Sequence, residues 1–172
     1  MLSLGSCSGF LDTKPDTLLT QDQTFGDPTL VKSVLANFYG RVTIGQRIDD
    51  WDQWTMLDEV IHFDTNSDEN IDRNKWRTYD YTLVHDLNQF LEGINPSDAV
   101  DEATKTAYIG EVRYIRAWLY FCMGRTLGGV PIINDEIFNY TPGMDITTLQ
   151  IPRSTEADLY DYVISECQEA SK

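Results

Sequence analysis

EVRYIRAWLYFCMGRTLGGVPIIN, residues 111–134, is the stretch whose reading decides the fold. Its first part is a strongly amphipathic run, crowded with aromatics, that suits a buried helix. Gly128-Gly129 then supplies the left-handed terminus that the carbonyls at a helix end need. Pro131 cannot continue the helix. Four apolar residues, Val130 to Ile133, will not stay in water. They are therefore expected to return as an extended segment in a groove between helices.

Working outward, the long helix is expected from about Asp98 to Leu127, after Asn95-Pro96-Ser97 has ended the helix before it. That preceding helix carries Trp76, Tyr79, Leu83, Leu87, Phe90 and Ile94 three or four apart. Asp27-Pro28 is a helix start, with the acid as cap and proline in the first position. Leu30, Val31, Val34, Leu35, Phe38, Tyr39 and Val42 follow as an apolar stripe, and Gly40 and Gly45 place the end near residue 44. A short helix over 51–62 carries Trp54, Leu57 and Ile61 on one face, and 64–74 reads as a polar loop. Downstream, 134–152 reads as a long loop. Ser154 or Thr155 then caps a last helix bearing Leu159, Val163, Ile164 and Cys167. The fold class is all-α, five helices in antiparallel hairpins with long loops. Residues 1–26 form a leader and extended tether, and 27–172 one helical domain.

A chain of 172 residues with 41% apolar and 12% aromatic residues has enough material for one core. Its formal charge of −15 leaves no basic surface for nucleic acid. The same charge opposes electrostatic docking on anionic lipid. Uncharged or cationic ligands and protein partners remain. No apolar run is long enough to span a bilayer as a helix.

The three cysteines, at 7, 122 and 167, include no CxxC pair. Cys122 and Cys167 fall on apolar helix faces and read as buried free thiols, with a bridge between them the alternative. Cys7 follows Leu4-Gly5-Ser6, a leucine-small-small-cysteine run like the lipobox that precedes a lipidated cysteine. Only six residues stand before it, and the first positive charge is Lys14, so the sequence is expected either to carry a misplaced start or to be trimmed.

Catalytic patterns fail. There is no phosphate loop and no HExxH. His62 and His85 have no second histidine at ligand spacing, which leaves serine or cysteine nucleophiles without a base. The acidic residues are too numerous for adjacency to mark a glycosidase pair. The run from Asp64 to Asp72 opens like a calcium loop, but Glu69 stands where the turn needs glycine and Lys75 where the bidentate acid belongs. No cofactor and no metal is expected. Trp51 and Trp54 flank Asp52 and Gln53 beside that oxygen-rich loop. Two flat rings next to hydrogen-bonding groups suit a sugar, whose C–H face stacks while its hydroxyls bond. The competing reading for Trp54 is core packing with Leu57 and Ile61. Trp51, Trp54, Asn66 and Asp68 form the candidate ligand-binding set; Trp76 and Trp118 are assigned to packing.

These pieces resemble a family. Arg113-Tyr114-Ile115-Arg116-Ala117-Trp118 with Tyr120-Phe121, then Leu127-Gly128-Gly129-Val130-Pro131-Ile132, resembles the signature of SusD/RagB proteins, the surface glycan-binding lipoproteins of Bacteroidetes. In that signature a tyrosine stands where this chain has Leu127. Pro152-Arg153-Ser154 with Leu159-Tyr160 and Ile164 is similar to the family's later helix start. Trp76 to Tyr79 with Asn88 to Leu91 resembles its tryptophan-tyrosine-asparagine helix, Asp64 to Asn70 its "SDE" loop, and Cys7 with Phe10-Leu11-Asp12 and Pro15 its lipidated start. The resemblance covers nearly the whole chain, in order. It implies a tetratricopeptide-like helical framework, lipid-anchored through Cys7 on the outer membrane and facing outward. It implies glycan binding without catalysis, and a SusC-like TonB-dependent transporter as partner. Family members are several times longer, so it also implies a chain truncated at Lys172, with unpartnered apolar faces near Val163 and Cys167 that favour self-association. A helical-repeat adaptor that binds only protein is the alternative function.

Overall fold

The structure, a computed structural model, describes residues 19–42, 79–139 and 141–172. Its helices are α1 (Gln21–Phe25), α2 (Pro28–Arg41), α3 (Tyr81–Ile94), α4 (Glu102–Leu127) and α5 (Glu156–Ala170), with a 3-10 turn at Ile146–Leu149. No strand occurs among the described residues. The all-α expectation holds.

Each of the four longer helices starts where a short oxygen-bearing side chain can take the orphan amides of its first turn. Asp27 accepts from Thr29 N at 2.7 Å, Asp80 from Leu83 N at 2.9 Å, and Asp101 from Thr104 N at 2.8 Å. Thr155 accepts from Asp158 N at 3.1 Å. Asp101 is thus the cap of α4, which starts later than the expected Asp98. Helix α2 stops at Arg41, short of residue 44, with Val42 already extended.

Contacts between the helices fix their directions. Arg41 bonds to Asp86 while Phe38 meets Phe90, so α2 and α3 run antiparallel. Asn88 bonds to Arg116 while Asn95 lies over Lys105, so α3 and α4 do too. Leu159 packs on Gly124 and Ala170 on Gly110, which makes α4 and α5 a third antiparallel pair. The core between them is one cluster from Val31, Leu35 and Phe38 through α3 and α4 to Leu159, with Val130 of the return segment included.

That segment lies where its apolarity demands. Val130 is buried, and Ile132 and Ile133 pack against the core. Gly128 N donates to Gly124 O at 2.8 Å to close α4. Gly128 has φ 71° but ψ −141°, outside the left-handed helical well expected of it and in a region that only glycine adopts freely. Gly129 faces a different constraint: a Cβ there would lie 1.9 Å from the Ser154 carbonyl oxygen. Two backbones touch at that point. Val130 and Ser154 then exchange bonds, Ser154 N to Val130 O at 3.1 Å and Val130 N to Ser154 Oγ at 3.2 Å.

Several sequence expectations are corrected. Residues 20–25 are not extended tether, because Thr20 and Gln23 cap one another and start a short helix. The loop after residue 134 contains the 3-10 turn, capped by Asp145 on Thr147 N. Tyr39 is exposed and its hydroxyl donates to Glu111 at 2.8 Å. Tyr79 precedes α3 and is exposed. Helix α5 turns inward along Leu159, Tyr162, Val163 and Glu166, leaving Ile164 and Cys167 in solvent. Cys122 is a buried free thiol as expected; Cys167 is free but exposed, so no bridge joins them. The expected 51–62 helix, the 64–74 loop and Trp76 lie outside the described residues.

Candidate functional site

An extended segment that pairs with no strand among the described residues must find other partners for its peptide groups. Side chains of α3 and α4 supply them. Tyr81 donates its hydroxyl to Pro131 O at 2.5 Å. The Tyr120 hydroxyl accepts from Ile133 N at 2.8 Å and donates to Ile133 O at 3.3 Å. Asn88 Nδ2 donates to Asn134 O at 2.6 Å and Glu136 O at 2.9 Å. Burial pushes the Tyr120 hydroxyl up to about 12, against the opposing pull of its Ile133 bond and of Arg116. Burial, with the neighbouring tyrosines, raises Tyr81 as well. Tyr81 thus holds the segment by donating, and Tyr120 by both donating and accepting.

Beneath the segment sits a charged cluster. Arg116 is 1% exposed and Glu166 5%. Arg116 Nε and Nη2 both reach Glu166 Oε2, at 2.8 and 2.6 Å. Its Nη1 reaches Asn88 Oδ1 at 2.6 Å and Asp135 at 2.8 Å. Arg113 takes the other oxygen of Glu166 at 2.8 Å. A guanidinium this deep persists because its fork is filled on every side. The cluster thereby ties α3, α4, α5 and the return segment together.

The surface that this scaffold positions is a cleft of about 520 Å³ lined by Tyr79, Leu127, Val130, Pro131 and Arg153. Tyr79 is 61% exposed. Its ring leans edge-on against Tyr81, centroids 4.9 Å apart. The Arg153 guanidinium donates to the carbonyls of Gly129 and Leu127, which caps the end of α4 and fixes the head at the cleft wall. A tyrosine face, a proline ring and an immobilised guanidinium make a stacking platform with a polar edge. A second cleft, about 360 Å³, runs between α1, α2 and α3 over Phe25, Phe38 and Phe90, with the Arg41–Asp86 pair at one end. Among the described residues, no group of three histidine, cysteine, aspartate or glutamate side chains is placed to hold a metal.

The sequence-based candidates Trp51, Trp54, Asn66, Asp68 and Cys7 lie outside the described residues. The described helices flank the segment that carries the first four: α2 ends just before it, and Tyr79 stands just after it. Two residues were missed. The period puts Tyr79 on the stripe of α3, although Asp80 caps the helix one residue later. Glu166 has no place in the stripe that the sequence assigns to the last helix. Its spacing from Leu159, Tyr162 and Val163 was the available signal, since it puts a carboxylate on the inward face.

Comparison with known proteins places the chain. A family model described as "Starch-binding associating with outer membrane", SusD-like, matches residues 9–172. SusD-like protein P38 of Formosa agariphila is 24% identical over 189 residues, covering 100% of this chain and 36% of that protein. The crystal structure of a SusD-like protein from Bacteroides fragilis superposes with a TM-score of 0.63 at 25% identity, over 87% of this chain and 30% of that one. The chain thus spans about a third of the length of these relatives. With a family match running from residue 9 to the last residue, over a helical framework shared with a solved member, the chain belongs to the SusD-like family.

Proposed function

We propose that this chain is the helical framework of a cell-surface glycan-binding protein that passes oligosaccharides to a SusC-like TonB-dependent transporter and catalyses nothing itself. The observation that carries the reading is the match to the starch-binding, outer-membrane-associated family over residues 9–172. The charge of −15 favours neutral glycans over anionic ones, which it repels. In this reading Cys7 carries the lipid that holds the protein on the outer face of the outer membrane. Trp51 and Trp54 stack on sugar rings, Asn66 and Asp68 bond their hydroxyls, and Tyr79 extends the platform beside Pro131.

Calorimetry of the full chain against maltooligosaccharides and other neutral polysaccharides tests this. Saturable binding is expected, with no release of reducing ends. A chain that binds no neutral glycan yet co-purifies with a partner protein would instead be the helical adaptor. Release of reducing sugar would make it a glycosidase.

A further inference from the structure

Among the described residues, helix α1 is attached by very little. It is five residues long, none of them is buried, and among the described helices it touches only α2 and α3. Its own shape rests on a reciprocal cap. Thr20 N donates to Gln23 Oε1 at 2.9 Å, and Gln23 N donates to Thr20 Oγ1 at 3.3 Å.

Its attachment rests on Phe25. Position 93 of α3 is a glycine, and the Phe25 ring occupies the space above it. A Cβ at Gly93 would come within 2.1 Å of Phe25 Cε2. The ring also meets Phe90 edge-on, centroids 5.5 Å apart. The Ser97 hydroxyl holds the Phe25 carbonyl at 2.6 Å. Directly beneath, Phe90 and Phe38 are 1% and 2% exposed, with centroids 5.7 Å apart. Among the described residues, one ring and one hydroxyl close the α2–α3 groove at this end.

We propose that α1 is a clasp. It opens as a unit when Phe25 leaves its notch over Gly93, uncovers the Phe38–Phe90 pair and widens the adjoining cleft, while α2 to α5 stay folded. The physical ground is the disparity in burial: an element with no buried residue opens at far lower free energy than the helices that share the core. The inference goes beyond the proposed function, because it concerns how α1 is held on the framework, whatever the framework binds.

The test is hydrogen exchange of the full chain, wild type beside Gly93→Ala and Phe25→Ala. Helix propensity alone makes alanine at 93 favourable for α3, so the variant is expected to fold. Exchange across residues 20–26 should accelerate about tenfold or more in both variants, while α4 and α5 amides change by less than about twofold. Adding Gly93→Ala to Phe25→Ala should accelerate α1 no further, since the ring that the new methyl would strike is gone. Three results would overturn the proposal: unprotected α1 amides in the wild type, unchanged α1 exchange in both variants, or acceleration of α1 and α4 together.

Discussion

Arg116 and Glu166 show what a single residue can be asked to do in this fold. A buried ion pair is poor evidence of stability by itself, because desolvation of both charges offsets their attraction. Removing one partner is another matter. Glu166→Ala would strip the buried Arg116 of its two bonds to the carboxylate, leaving Asn88, Asn134 and Asp135, and should cost about 3–5 kcal/mol. Glu166→Gln keeps an acceptor and should cost less. Urea unfolding of both variants checks this, and a loss under about 1 kcal/mol for the alanine variant would mean that Asp135 compensates. For ligand binding, Trp51→Ala and Tyr79→Ala should each weaken glycan affinity by about 1–3 kcal/mol with little change in Tm, a magnitude taken from base–aromatic stacking. An early melt of Tyr79→Ala would show that the ring supports the fold and is no platform.

Among the elements, α5 separates pattern from packing most clearly. Leu159, Val163, Ile164 and Cys167 and the alternative set Leu159, Tyr162, Val163 and Glu166 are both helical stripes, a modest rotation apart. Charge decides between them, because the arginines of α4 need Glu166 inside. One consequence is directly measurable. Cys167 is exposed, whereas Cys122 is buried and its thiol is raised by that burial. Iodoacetamide followed by peptide mapping should therefore modify Cys167 far faster than Cys122 in the folded chain. Comparable rates would mean that α5 is rotated from the orientation described. The caps at Asp27 and Thr155 and the stop at Gly128 were legible because each is a local rule. So was the Thr20–Gln23 box, which a reading dominated by polarity passed over.

For the whole molecule, the tyrosines set its limit in alkali. Burial pushes Tyr120 up to about 12, and Tyr81 and Tyr162 are raised as well. An unfolded tyrosine ionises near 10. Below about pH 10 both states keep the proton and these groups add no slope. Between about 10 and 12 only the unfolded chain releases it, so stability must fall as pH rises. Thermal melts across that window, read beside tyrosinate absorbance, should show the tyrosinate of the buried rings appearing together with unfolding. Ionisation of all nine tyrosines near pH 10 in a folded chain would contradict the burial described. By itself the sequence determined the helical class, the helix starts at Asp27 and Thr155, the stop at Gly128-Gly129 and the inward return of Val130 to Ile133. All of these follow from caps, period and backbone chemistry within a few residues. Only the tertiary structure decided that Glu166 faces inward, that Tyr79 leaves the core, that Gly129 is needed for contact with Ser154, and that Phe25 seats over Gly93. Each of those depends on which atoms of a distant segment arrive at the same place, and the residues on either side of the position do not encode that.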